Sequence, residues 1–215
     1  MKSFLLIGVG RFGKHIAMEL CQLRHEVLAV DWDEKQVNEV LPFVTDAKIG
    51  DVTDRDFLQS LGVKDFDVCL VSIGDSFENS LIATALLKEL GARFVVSMAG
   101  SDLHADFLRR NGADDVVFPE RQVAVSTAMR YSSEQIFDYM ELTDEYGIYE
   151  VSLPRSFAGK TLQQLDLRRR YNLNVLATKQ GGHLNPAVQP DKPLAAEETM
   201  LVLGRYKDIQ KCFHV

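Results

Sequence analysis

This 215-residue chain lacks the long apolar stretch that a membrane span requires. Runs such as Phe4–Ile7 fall far short of the ~20 residues a helix needs to cross a bilayer. Its start does not read as an export signal either, because Met1-Lys2-Ser3 leads straight into a strand-like run and a glycine loop. The chain is therefore expected to be cytoplasmic and to meet a membrane only through a partner. Cysteine is scarce: Cys21, Cys69 and Cys212 are scattered and form no C-x-x-C, which argues against a zinc site or disulfide framework and for buried thiols. An excess of basic residues is also missing. Lys and Arg number 24 against 31 Asp and Glu, a net charge of −7, which disfavours a general nucleic-acid-binding face. His15, His25, His104, His183 and His214 show no metal-ligand spacing. No GxxxxGK[ST] loop is present, and no tyrosine is followed by lysine four positions on, so neither P-loop hydrolysis nor that dehydrogenase acid–base pair is indicated.

Up to about residue 118, strand and helix signals alternate. Phe4–Ile7, Val27–Val30, residues 44–49, Val68–Ile73, Phe94–Val96 and Val116–Phe118 are short and β-rich. Between them run helical patterns: Phe12, Ile16, Leu20 and Leu23; Val37, Val40 and Leu41; Phe57, Leu58 and Leu61 after a capping-box-like Thr53 and Asp56; Leu81 to Leu90; Leu103 to Leu108. Six strands alternating with five helices predict an α/β fold, a doubly wound parallel sheet covered on both faces. Pro119 can open a further helix with Val123, Ala128 and Tyr131 on one face, and Ile136, Phe137 and Met140 read as a second amphipathic helix. The polar segment Thr143–Gly147 suggests a boundary, giving domains 1–142 and 143–215. The second is read as small and α+β, with strands at Ile148–Leu153, Asn174–Thr178 and Met200–Leu203, a helix at Leu162–Arg170, and loop over 181–198.

The sharpest chemical signal is Gly8-Val9-Gly10-Arg11-Phe12-Gly13, a G-x-G-x-x-G between a strand and a helix, trailed by Asp31 at the end of the next strand, 23 residues after Gly8. In such a loop Gly8 allows the tight turn, Gly10 lets backbone approach phosphate oxygens, and Gly13 lets helix pack on sheet. The helix N-terminus offers N–H groups to an anion, and Asp31 can accept from both ribose hydroxyls. With Asp33 nearby it should repel a 2′-phosphate, which argues against NADP. Arg11 either reaches a terminal phosphate or is a solvated arginine. Asp51, followed by Val52, stands at the end of the third strand and is read as an adenine or ribose contact, or as a turn residue. Ile73 and Gly74, in Ser72-Ile73-Gly74-Asp75-Ser76, occupy the same edge after the fourth strand, or cap the next helix. Glu120 is a first-turn glutamate or a ligand for a cation that accompanies phosphates. Arg168-Arg169-Arg170 suits a helix C-terminus, or part of an anion site.

Gly8–Lys14 together with His25–Asp31 resembles the opening of the cytoplasmic regulatory subunits of Ktr/Trk potassium uptake systems, the RCK or KTN proteins. The likeness continues through Gly112-Ala113-Asp114, Phe118-Pro119-Glu120, Tyr139–Tyr146, Gly159–Leu162 and Val175–Ala177, and so covers essentially the whole chain. The resemblance implies a Rossmann-type RCK N-domain and an RCK C-domain, and dimers assembling into an octameric ring beneath a membrane-embedded potassium-translocating subunit. It implies that ATP and ADP compete for one site and favour different ring shapes. Arg11 would contact the terminal phosphate, Asp31 the ribose and Asp51 the adenosine, while Glu120 would bind a cation such as Mg²⁺ beside ATP. In some members the C-domain binds cyclic di-AMP between subunits. The matching stretch is Leu165–Asn174, with Arg169 and Asn174 as contacts and Pro186 nearby. On this reading the protein is not an enzyme. Two alternatives remain: an NAD/NADH-responsive RCK regulator of another transporter, or a small NAD-dependent oxidoreductase.

Overall fold

Phe4-Leu5-Leu6-Ile7 has no polar residue to give to solvent, so as a strand it must be covered on both faces. A computed structural model, which describes residues 1–214, builds it as β1 (Ser3–Ile7) with Leu5, Leu6 and Ile7 fully buried. Strand alternation sends Leu5 and Ile7 into one core, with Val30, Leu58, Val71, Leu87 and Val95, and Phe4 and Leu6 into the other, with Ala17, Val27, Ala29 and Val40. The chain then alternates as expected: α1 (Arg11–Gln22), β2 (Glu26–Asp31), α2 (Glu34–Val40), β3 (Asp46–Ile49), α3 (Arg55–Ser60), β4 (Val68–Val71), α4 (Phe77–Glu89), β5 (Val95–Met98), α5 (Asp102–Arg110) and β6 (Asp115–Val117). The strands pair in parallel in the order β3-β2-β1-β4-β5-β6. Direction of winding reverses between β1 and β4, which leaves a crevice outside the carboxyl ends of those strands.

The chain divides into two compact units, Met1–Glu120 and Arg121–Val215, and the division falls in the first turn of α6 (Pro119–Tyr131). The second unit is built on β7 (Ile136–Glu141), β8 (Gly147–Ser152), β9 (Asn174–Gln180), β10 (His183–Asn185) and β11 (Thr199–Gly204), an antiparallel sheet ordered β10-β9-β11-β8-β7. Three short helices accompany it, α7 (Leu162–Leu165), α8 (Leu167–Tyr171) and α9 (Tyr206–Phe213). Its core includes Tyr149, Val151, Leu173, Met200, Val202, Ile209 and Phe213, and the Tyr149 ring lies 4.9 Å from Tyr139 and 6.3 Å from Tyr206.

Several expectations for this unit are corrected. Ile136–Met140 is strand β7, not helix, because Tyr139 and Met140 pair across β8 with Tyr149 and Ile148. The polar segment Thr143–Gly147 connects that hairpin, Thr143 N–H donating to the Tyr146 carbonyl at 3.0 Å. The expected 162–170 helix is broken at Asp166, whose φ of 44° is left-handed. The 181–198 segment contains β10, turned back by Gly181 and Gly182, both with positive φ. Helix α9 was not anticipated. In the first unit the cap of α3 is Asp54 rather than Thr53, its side chain accepting from Asp56 and Phe57 N–H. Cys69 and Cys212 are buried, and burial pushes both thiols up to about 12. No helix among the described residues is long and apolar enough to cross a membrane.

Candidate functional site

The three loop glycines are required for different reasons. Gly8 adopts a φ of 86°, its N–H donates to the Val30 carbonyl at 2.8 Å, and a Cβ there would lie 2.7 Å from the Ser72 carbonyl oxygen. A Cβ on Gly13 would collide with the Gly8 carbonyl, so this glycine sets the approach of α1 to the loop. A Cβ on Gly10 would meet nothing within 4 Å. Gly10 therefore borders open space at the start of α1, where a bound group can come against backbone.

That helix start is unlike its neighbours. Helices α2, α4 and α5 are capped by Asp33, Ser76 and Ser101, α3 by Asp54, and each carries an acid in its first turn. Helix α1 begins at Gly10 with no side-chain cap and no acid in its first turn. Its first N–H groups and positive dipole end stay available to an anion. Arg11, the first residue of α1, is exposed, and Phe12 is half-buried.

Asp31 is only 8% exposed, although charged. One carboxylate oxygen accepts the Val9 N–H at 2.8 Å and the other the Asp33 N–H at 3.0 Å. The carboxylate thus fastens the glycine loop to the end of β2, a role that spacing alone did not reveal. Each oxygen keeps a lone pair for a ribose hydroxyl. The second of those bonds closes a turn over Trp32, the sole tryptophan, whose side chain is 76% exposed.

Asp33 caps α2 by accepting the Lys35 N–H at 2.9 Å. Asp51, past the end of β3, is exposed, and one of its oxygens accepts both the Thr53 hydroxyl (2.6 Å) and the Thr53 N–H (2.8 Å). Those bonds, the hydroxyl's foremost, hold its carboxyl below the usual range. Val52 packs on the core cluster beneath it. Beyond β4, Ile73 lies within 3.3 Å of where a Gly8 Cβ would stand, and Gly74 is exposed.

Between them and the strand sits Ser72, which the sequence places in the same segment without singling it out as Ile73 and Gly74 are. Ser72 is 8% exposed, its hydroxyl has no hydrogen-bond partner, and its Oγ lies 3.2 Å from where a Gly13 Cβ would stand. Buried hydroxyls are ordinarily paired, at a cost of about 1–3 kcal/mol when they are not. No sequence pattern marks such an atom, because it depends on which neighbours the fold withholds.

Strand order thus brings Gly8, Gly10, Gly13, Asp31 and Ser72 together. An uncapped helix start, a glycine that leaves room, an unpaired hydroxyl and a carboxylate with free lone pairs fit the phosphates and ribose of a nucleotide. Glu120 is exposed in the first turn of α6, and no group of three or more His, Cys, Asp or Glu side chains able to hold a metal exists among the described residues. Arg169 and Asn174 belong to the second unit. Both are exposed, Arg169 on α8 and Asn174 opening β9 in register with Leu203.

The TrkA-N domain family matches residues 4–119. The Ktr system potassium uptake protein C of Bacillus subtilis is 37% identical over 210 residues, covering 98% of this chain and 95% of that protein. Ktr system potassium uptake protein A of the same organism is 35% identical over the same shares, and that of Vibrio alginolyticus is 30% identical over 94% of this chain and 92% of its own. In fold, the chain matches the crystal structure of the GsuK RCK domain with a TM-score of 0.69 at 17% identity, over 99% of this chain and 47% of that one. The GsuK channel bound to NAD matches equally, over 98% of this chain and 38% of its own. With the glycine loop, the 3-2-1-4-5-6 sheet and likeness along nearly the full length of these relatives in agreement, the chain belongs to the TrkA-N family of Ktr potassium uptake proteins.

Proposed function

We propose that this chain is a cytoplasmic, nucleotide-sensing regulatory subunit of a potassium uptake system, acting on an integral membrane potassium-translocating partner. The observation that carries the nucleotide part is the start of α1: uncapped, free of acid and open above Gly10. Relatives named as Ktr potassium uptake proteins supply the transport context. Solved proteins of like fold are described as bound to NAD, ADP or AMP, ligands that share an adenosine and a phosphate.

In this reading the α1 N–H groups and Gly10 hold the phosphates, Asp31 the ribose, and Asp51 with Val52 borders the adenosine. Arg11 extends its guanidinium to the γ-phosphate, which ATP has and ADP lacks. A ligand shifts a two-state assembly only by its differential affinity for the two states, commonly about 1–3 kcal/mol. Contact with Arg11 in one ring shape supplies such a difference, and the assembly is a homo-oligomer, a dimer-based octameric ring. Glu120 offers one carboxylate, so a cation there takes phosphate oxygens for part of its shell. Arg169 and Asn174 are the contacts for cyclic di-AMP in the second unit. No bond-making step is assigned to any of these residues.

The test is a thermal-shift and calorimetry panel with ATP, ADP, NAD, NADH and cyclic di-AMP, each with and without Mg²⁺. ATP and ADP should bind more tightly than NAD, and Arg11→Ala should erase the preference between ATP and ADP while leaving ADP binding nearly intact. Glu120→Gln should remove any gain from Mg²⁺. Response to NAD or NADH alone would replace this reading with a redox-responsive regulator.

A further inference from the structure

The first unit pairs its other buried hydroxyls with care. Ser80 Oγ donates to the Phe77 carbonyl at 3.0 Å and lies 2.6 Å from His104 Nε2, while Thr84 Oγ1 donates to the Ser80 carbonyl at 2.7 Å and lies 2.8 Å from Ser97 Oγ. Ser72 is the exception, the one buried side-chain polar atom without a partner among the described residues. It is not misplaced. Its own N–H donates to the Ile7 carbonyl at 2.7 Å, which fixes the end of β4 against the end of β1. Its carbonyl stands 2.7 Å from the place of a Gly8 Cβ, and its Oγ 3.2 Å from the place of a Gly13 Cβ. Ser72 therefore lies against both outer glycines of the loop, its carbonyl against Gly8 and its hydroxyl against Gly13, at the switch point where the sheet opens its crevice. Alanine would remove the unpaired group and leave only the space of one oxygen, so the hydroxyl gives the ligand-free fold no hydrogen bond. Its one proton and two lone pairs are spare.

We propose that Ser72 Oγ completes the phosphate cradle, donating its proton to a diphosphate oxygen of the bound nucleotide, directly or through one bridging water. The inference rests on the nucleotide reading and names a further group of that site. Its chemistry differs from that of Arg11. A neutral donor beneath the loop meets the diphosphate common to ADP and ATP, so it contributes to both alike and does not discriminate between them.

The experiment compares wild type and Ser72→Ala, each as the full chain. Thermal unfolding is followed without ligand, and binding of ADP and of ATP is measured by calorimetry. Ligand-free Ser72→Ala should melt at the same temperature as wild type or higher, because an unpaired buried hydroxyl is removed. ADP and ATP should both bind about 3- to 10-fold more weakly, by the same factor, as expected for loss of one hydrogen bond. This opposition of signs is what a purely structural serine cannot give. Unchanged affinity in Ser72→Ala beside a wild type that binds both nucleotides would overturn the proposal and leave the nucleotide reading standing. A lower melting temperature without ligand would also overturn it, since the hydroxyl would then be serving the fold. Absence of binding to wild type would sink both.

Discussion

Two regions of this molecule gather positive potential, and they do so by different means. At the glycine loop it comes from backbone, the N–H groups at the start of α1 with no competing cap, in a loop that the Asp31 carboxylate holds in place. At α8 it comes from side chains, the exposed Arg168, Arg169 and Arg170 on a helix of five residues. The first is tied down by the hydrogen bonds of Gly8 to Val30 and of Val9 to Asp31 before any ligand arrives. The second must order long side chains when it binds, and its charges are screened by salt. Pre-organisation shows in a structure as groups left deliberately unfilled, which exposed arginines on their own do not display.

The comparison can be broken most violently at Gly13. A side chain there runs into the Gly8 carbonyl, a backbone atom with no freedom to step aside, so Gly13→Ala should cost more than about 4 kcal/mol. Circular dichroism and thermal melting would show loss of the parallel-sheet unit, and a mutant with unchanged melting would mean that the loop is softer than described. At Gly10 the same change should spare the fold and damage the site. With a φ of −59° and open space around it, Gly10→Ala should alter stability by no more than about 1 kcal/mol while weakening ADP at least about tenfold. Equal affinity in this variant would show that no ligand approaches the start of α1.

Acid should separate the two units more gently. His104 is 5% exposed, its Nδ1 accepts the Gly100 N–H at 3.2 Å, and burial lowers its pKa from 6.5. The unfolded chain then binds the proton first, so the stability of the first unit should fall as pH drops through about 6.5. The second unit has His183 and His214, both exposed, and should be less affected. Melting curves between pH 7.5 and 5.5 check this, with His104→Gln expected to flatten the dependence. Smallest of all is the effect of Arg169→Ala on stability, within about 0.5 kcal/mol for an exposed side chain. Any larger consequence, read as a lost response to cyclic di-AMP, would have to act through a ligand.

Legibility in the sequence followed how local the governing interactions are. In the first unit the first three strands stop at Gly8, Asp31 and Gly50 and the helices between strands carry their own apolar stripes, so alternation yields the doubly wound sheet. The second unit depends on pairing between distant strands. Ile136, Phe137 and Met140 match helical spacing only because a register shift between Ile136 and Asp138 breaks the strand's alternation. Asp166 breaks a helix in a left-handed conformation that no glycine or proline announces. Ile209, Cys212 and Phe213, buried on α9, did carry a readable three-to-four spacing that went unused. At the site, Gly8, Gly10, Gly13 and Asp31 were legible because motif and spacing encode them. The hold of Asp31 on Val9 was not, because it needs the loop folded back onto β2. Ser72 was illegible for the opposite reason, its meaning lying in bonds it does not make.

Trp32 gives this protein an optical property that follows from its position. It is the only indole in the chain, and it stands in water one residue from Asp31, the carboxylate proposed to hold the ribose. Every photon of tryptophan emission therefore originates at the mouth of one crevice. Rapid-mixing fluorescence could time the arrival and departure of a nucleotide without a label. On the proposed reading, residence time rather than affinity would set how quickly the subunit responds to a change in nucleotide.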